Sequence, residues 1–87
     1  MQVLCRYDLD DFAGWKTQFD ADTEAQRNAG LSLLQIWQEH GNPTRVFCLF
    51  EANDLDKARD FIDSPRARAR AEKAGVRDAA CHILETV

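Results

Sequence analysis

No apolar run in this 87-residue chain comes near the ~18 consecutive residues that a membrane-spanning helix requires. The opening residues, Met1-Gln2-Val3-Leu4-Cys5-Arg6, show no basic segment leading into an apolar stretch. No secretory signal is therefore expected, and the cytoplasm is the favoured location. Net positive charge is missing too: 11 basic residues face 15 acidic ones, a balance of −4. Such a chain suits polyanions poorly, because phosphate neutralisation supplies most non-specific nucleic-acid affinity. There is no CxxC, no HExxH and no carboxylate cluster at ligand spacing, so no metal site is expected. The four glycines are scattered singly and build no phosphate cradle. No cofactor is implied. Cysteine is scarce: Cys5, Cys48 and Cys81 are an odd set with no two close in sequence. In a cytosolic setting no disulfide is expected, and all three read as free, buried, small apolar side chains.

Repeats, low-complexity stretches and linkers are also absent, and the length suits one domain over residues 1–87. A chain this short buries only about 60–65% of its unfolded surface, so a lone core is marginal. With metals and disulfides set aside, oligomerisation is the remaining remedy.

What is present is a sequence of six elements. A first strand covers residues 2–7, with Val3, Cys5 and Tyr7 on one face and Gln2, Leu4 and Arg6 on the other. Asp8, Asp10 and Asp11 supply capping groups for a helix from Asp11 to Ala29. Its face carries Phe12, Trp15, Phe19, Thr23 and Gln26 at spacings of three and four. Gly30 stops it. A second strand, Leu31–Glu39, and a third, Arg45–Ala52, flank a hairpin loop over 40–44. A second helix starts near Asn53 or Asp54 and buries Leu55, Ala58, Phe61 and Ile62. It restarts at Ser64-Pro65, runs from Pro65 to Ala74 and ends at Gly75. A last strand covers Ala80–Val87. The order βαββαβ predicts an α+β, ferredoxin-like four-stranded antiparallel sheet with its helices on one face. An RNA-recognition module shares this order, but Arg45–Phe50 lacks the glycine its third strand needs.

The strands are apolar on both faces. Leu34 and Ile36 oppose Leu33 and Trp37; Val46, Cys48 and Phe50 oppose Phe47 and Leu49; Cys81 and Ile83 oppose Leu84. A one-sided sheet alternates apolar with polar. Helices cover one face only, so the other is expected to pack against a second copy about a two-fold axis. A bulge that shifts the strand parity is the alternative, and it would leave one face polar.

Tyr7-Asp8, Trp15-Lys16, Phe19-Asp20, Arg27, Gly30, Asn42-Pro43, Asp54, Ala58, Phe61, Ser64-Pro65 and Ala74-Gly75-Val76 together give a pattern that resembles a known group. The chain is similar, over nearly all its length, to small uncharacterised bacterial proteins of the dimeric α+β barrel superfamily, relatives of the antibiotic-biosynthesis-monooxygenase group. The resemblance implies a homodimer with paired sheets, and a pocket between sheet and helices in each subunit. Ala67 and Ala71 stand where larger apolar residues are expected, which predicts a roomier pocket. The superfamily spans several chemistries, so the fold names none of them.

Six residues are candidates for a ligand site. Trp15 and Phe19 are either core or the aromatic wall of a pocket. Trp37 lines that pocket or anchors the dimer interface. His82, beside Leu84 and Thr86, is a core histidine or a weak candidate base, with Tyr7 as the other proton-handling group. Arg27 answers a helix dipole or meets an anionic substrate group. His40 is a turn residue. Arg66, Arg68 and Arg70 fan around their helix, with Glu72 and Asp60 as expected partners. The reading is a homodimer that binds a small aromatic or lipophilic molecule, with cofactor-free monooxygenase-like or isomerase-like chemistry one outcome. The alternative is a non-catalytic structural or protein-interaction domain with no pocket.

Overall fold

The computed structural model describes residues 1–87. Its elements are β1 (Gln2–Leu9), α1 (Phe12–Ala21), α2 (Thr23–Asn28), β2 (Leu31–Glu39), β3 (Asn42–Ala52), α3 (Leu55–Ile62), α4 (Pro65–Lys73) and β4 (Val76–Leu84). The four strands form one antiparallel sheet in the order β2-β3-β1-β4, with β2 and β4 at the edges. This is the expected ferredoxin-like α+β arrangement. No helix is long and apolar enough to cross a membrane.

Register explains the core. Val3 pairs with Phe50 and Ile83, Cys5 with Cys48 and Cys81, and Tyr7 with Val46 and Ala79. Cross-strand partners share a face, so these three rows lie under the helices. Val3, Cys5, Leu9, Val46, Cys48 and Phe50 are fully buried there. Trp15 from α1 and Ala58 from α3 close the layer above them. The helices start where the sequence supplies acceptors. Asp11 accepts from the Gly14 amide (2.8 Å), Asp54 from Lys57 (3.0 Å) and Ser64 from Ala67 (3.1 Å). Each such cap is worth about 1 kcal/mol.

Several boundaries differ from the sequence reading. The first long helix is interrupted at Asp22, where the Thr23 hydroxyl donates to the Asp20 carbonyl (2.7 Å). The loop over 40–44 shrinks to His40-Gly41, with Gly41 at φ +80°, and β3 begins three residues early. The last strand starts at Val76 rather than Ala80. Gly75, at φ +76°, turns the chain directly from α4 into β4, and its carbonyl accepts from the Asp10 amide (2.9 Å). Asp78 pairs with Asp8 in the β1–β4 ladder and meets Arg6 (3.1 Å), while Arg77 is the extra residue at a register shift between Asp78 and Val76, its side chain donating to the Leu9 carbonyl (2.8 Å).

One parity expectation fails. The register slips between Leu33 and Gln35, which leaves Leu34 as a bulge. Leu33 pairs with Phe50 and Trp37 with Phe47, so Leu33 and Trp37 lie on opposite faces, not together. The bulge is the event considered above, yet the outer face stays apolar at its centre. Leu4, Phe47 and Leu49 are half-buried there, and Trp37 and Leu84 are 46% and 41% exposed.

Charge gathers at one end of that outer face. Asp8 accepts from Arg45 Nε (2.7 Å) and pairs with Arg6. The Arg45 hydrogen bond, with both neighbouring guanidinium charges, holds the Asp8 carboxyl below its ordinary value. The native state therefore binds this proton less readily than the unfolded chain. The resulting stabilisation is complete above the unfolded value of about 4 and is lost as pH falls through the lower native value. Thermal melts should show a midpoint that declines below pH ~4, and Asp8→Asn should flatten that decline while lowering the plateau above it.

The cysteine expectation is also corrected. Cys5 and Cys81 are joined by a disulfide across β1 and β4, with Cα atoms 4.0 Å apart. Only Cys48 is a free thiol, and it is buried.

Candidate functional site

The α4 helix is alanine-rich on the side it turns to the sheet. Ala67 is buried and Ala71 half-buried. Short side chains cannot reach the strands, so a cleft of about 260 Å³ opens between α4, α1 and the β1–β4 edge. Ala67 and Ala71 both line this cleft.

One wall of the cleft is aromatic. Trp15 stacks between Phe19 (ring centroids 4.7 Å) and Tyr7 (5.9 Å). Spacing on α1 brings Trp15 and Phe19 together, and strand parity aims Tyr7 at them from below. Phe61 faces them from α3. Trp15 is 3% exposed and serves core and wall at once.

Three polar groups line the same space. Tyr7 Oη comes from the sheet floor. Burial pushes its phenol above the ordinary value, helped by Cys48 and only partly offset by the Arg70 charge. At neutral pH it is therefore a protonated hydrogen-bond donor. Gln26 on α2, 6% exposed, donates to the Phe19 carbonyl (3.4 Å), which leaves its amide oxygen free as an acceptor. Arg70 lies 4.0 Å over the Phe61 ring and donates to the Phe61 carbonyl (2.8 Å). That bond occupies one terminal nitrogen and leaves the guanidinium other donors. Asp22, Asp63 and Arg68 stand at the rim, with Arg68 and Asp63 3.9 Å apart.

The six sequence candidates divide. Tyr7, Trp15 and Phe19 meet in the cleft. Arg27 is exposed on α2 and does not line it. Trp37 and His82 lie on the opposite face of the sheet. Trp37 pairs with Phe47, and His82 pairs with Leu4. Neither can touch a molecule held between helices and sheet, and His82 is exposed rather than a core residue. His82 therefore handles no proton in this cleft. The expected partners of the arginine run are corrected too, since Arg70 engages Phe61 and Arg68 faces Asp63, not Glu72 or Asp60. Arg70 escaped the sequence reading because its arginines looked like a solvated fan. The Ser64-Pro65 restart swings α4 back on α3 and points this one inward. No group of three or more His, Cys, Asp or Glu side chains is placed to hold a metal ion.

The arrangement can grip a flat apolar body and offers a cation and a phenol donor to an oxygen on it. It contains no histidine base.

No protein-family profile and no curated protein matches the chain. Solved structures do. A proposed antibiotic biosynthesis monooxygenase from Bacteroides thetaiotaomicron superposes with a TM-score of 0.70 at 17% identity, over 100% of this chain and 89% of that one. Another proposed antibiotic biosynthesis monooxygenase, from Nitrosomonas europaea, gives 0.60 at 13%, over 94% and 96%. An uncharacterised NIPSNAP domain protein from Burkholderia xenovorans gives 0.63 at 13%, over 100% and 95%. At these identities the likeness is one of fold. The chain has the ferredoxin-like fold of the antibiotic-biosynthesis-monooxygenase-like proteins.

Proposed function

We propose that the protein is a homodimer that binds a small planar aromatic molecule bearing an acceptor or ionisable oxygen in the cleft beneath α4. The observation that carries this reading is the meeting of the Tyr7–Trp15–Phe19 wall with three polar side chains, Tyr7, Gln26 and Arg70, in one space. The rings supply apolar area, and the guanidinium fixes an anionic or carbonyl oxygen.

Cofactor-free oxygenation or isomerisation suits such a site when the substrate itself ionises readily. Arg70 would stabilise the enolate or phenolate, and the Tyr7 phenol would donate to its oxygen. Two fold neighbours carry a monooxygenase description, which supports this chemistry by analogy. The homodimer reading rests on the apolar centre of the outer sheet face. Its occupant is a second copy, because an apolar centre of Leu4, Phe47 and Leu49 lies between the Arg6–Asp8–Arg45 cluster at one end and the Met1–Glu51 pair at the other, a layout that a two-fold axis through the centre can match to itself.

The test is a fluorescence titration of a Trp37→Phe variant, in which Trp15 alone reports. Hydroxyquinones and phenols of one or two rings should quench it saturably. Arg70→Met should weaken binding of the anionic members about 10–100-fold, as expected for a charge-assisted hydrogen bond. Ala71→Phe, which fills the cleft without adding a second tryptophan, should abolish it. Saturable quenching that survives Ala71→Phe, or none with any probe, sinks the reading.

A further inference from the structure

Three cysteines form a row on the helix-facing side of the sheet. Cys5 on the central strand β1 is the register partner of Cys48 on β3 and of Cys81 on β4. Cys5 is bonded to Cys81, while Cys48 remains a free thiol. Solvent access is unequal along the row. Cys48 and Cys5 are fully buried, whereas Cys81 is partly exposed and lines the cleft.

Thiol–disulfide exchange has a direction. The attacking sulfur approaches one sulfur of the bond and expels the other along the S–S axis. Attack on Cys5 would have to come from the β3 side, where Cys48 and packed core stand. Attack on Cys81 comes from beyond β4, an edge strand with no neighbour in the sheet. There Ile62, Asp63 and Ala79 border open space next to Cys81. From geometry alone, we infer that Cys81 is a thiol-exchange site, at which a low-molecular-weight thiol of the glutathione type forms a mixed disulfide in the cleft.

The step balances. The thiolate RS⁻ attacks Cys81 Sγ, an RS–S bond forms, the Cys5–Cys81 bond breaks, and Cys5 leaves as a thiolate that takes a proton from water. A second RS⁻ releases RSSR and leaves Cys81 as a thiol. Two thiols are oxidised for each protein disulfide reduced. In the reverse direction the Cys5 thiolate attacks Cys81 and expels RS⁻. Cys48 is a poor internal competitor, because burial pushes its thiol up to about 12 and leaves little thiolate at neutral pH. An adduct on Cys81 would occupy the cleft and remove the covalent tie between β4 and β1 together, leaving their ladder in place, so thiol status would govern whether the site is open. This is independent of which aromatic ligand, if any, the cleft holds.

The test maps the first adduct. Air-oxidised wild-type protein is exposed briefly to excess reduced glutathione, quenched with acid and mapped by peptide mass spectrometry. The glutathionyl group should fall on Cys81, with Cys5 as a new thiol and Cys48 unchanged. As a second arm, Cys5→Ser and Cys81→Ser are each incubated with oxidised glutathione. Cys5→Ser should take up one glutathionyl group at Cys81 at least about tenfold faster than Cys81→Ser takes one up at Cys5, as their difference in access dictates. Cys48→Ser should behave as wild type. Mapping to Cys5, no adduct in the wild type, or three free thiols in the air-oxidised protein would each overturn the inference.

Discussion

Leu49→Asp should convert the proposed dimer to a single subunit at micromolar concentration. Leu49 sits near the centre of the outer sheet face, paired across the strands with Leu4 on one side and Gln35 on the other. The same face presents Phe47 and Trp37 beside it. An aspartate there has no cationic cross-strand partner, since the nearest arginines belong to the charged end around Asp8. Removing one buried carboxylate from water without a partner costs several kcal/mol. A two-fold interface carries two such carboxylates, placed near each other across the axis. With tenfold in affinity for each 1.4 kcal/mol, the dissociation constant should rise at least about a thousandfold. Sedimentation velocity measures this directly. A wild-type protein that sediments as one subunit, or a Leu49→Asp variant that stays paired, rules out the sheet-to-sheet assembly. His82→Ala, on the same face but on the edge strand, should change association little.

The second large effect concerns the Cys5–Cys81 bridge. It joins residues 76 apart in sequence, so it removes many conformations from the unfolded chain. Reduction should lower stability by about 2–4 kcal/mol. For a domain of this size that corresponds to a fall in the melting midpoint on the order of 10–20 °C. Thermal melts with and without a phosphine reductant provide the measurement. Cys81→Ser should start at the lower midpoint and ignore the reductant, because its partly exposed position tolerates a hydroxyl. Cys48→Ser should keep the full response. Equal midpoints with and without reductant would show that the bridge contributes nothing.

These two predictions also mark what could be seen in the sequence. The βαββαβ order and the helix caps at Asp11, Asp54 and Ser64 were legible because they depend on local periodicity and on side chains a few residues apart. The apolar outer face was legible in β3 and β4 for the same reason. The disulfide was not. Nothing local distinguishes Cys5 and Cys81 from buried free thiols. Only the antiparallel register of β1 and β4 sets them opposite each other. Trp37 was misplaced relative to Leu33 by a single extra residue, Leu34, since strand parity reverses at a bulge.

The cleft was half legible. Trp15 and Phe19 announced themselves by helical spacing, Tyr7 by strand parity, and Ala67 and Ala71 by their small size. Gln26 was legible as part of that helix face, though not as a site residue. Arg70 did not announce itself, because sequence alone assigns a charged side chain to solvent, and its inward placement follows from the restart of α4 at Pro65. His82 shows the opposite error. Its apolar neighbours in sequence suggested an interior, but Leu84 beside it is itself on the outer face.

The order β2-β3-β1-β4 has a consequence for how the chain is made. β1 emerges from the ribosome first, yet lies inside the finished sheet. At about 5–20 residues per second, Cys5 waits roughly 4–15 s for Cys81 to be synthesised. Throughout that interval one flank of the nascent strand offers unpaired amides and carbonyls to any other extended polypeptide nearby. Rapid translation of the segment between them, or a chaperone that holds β1, should raise the yield of folded protein.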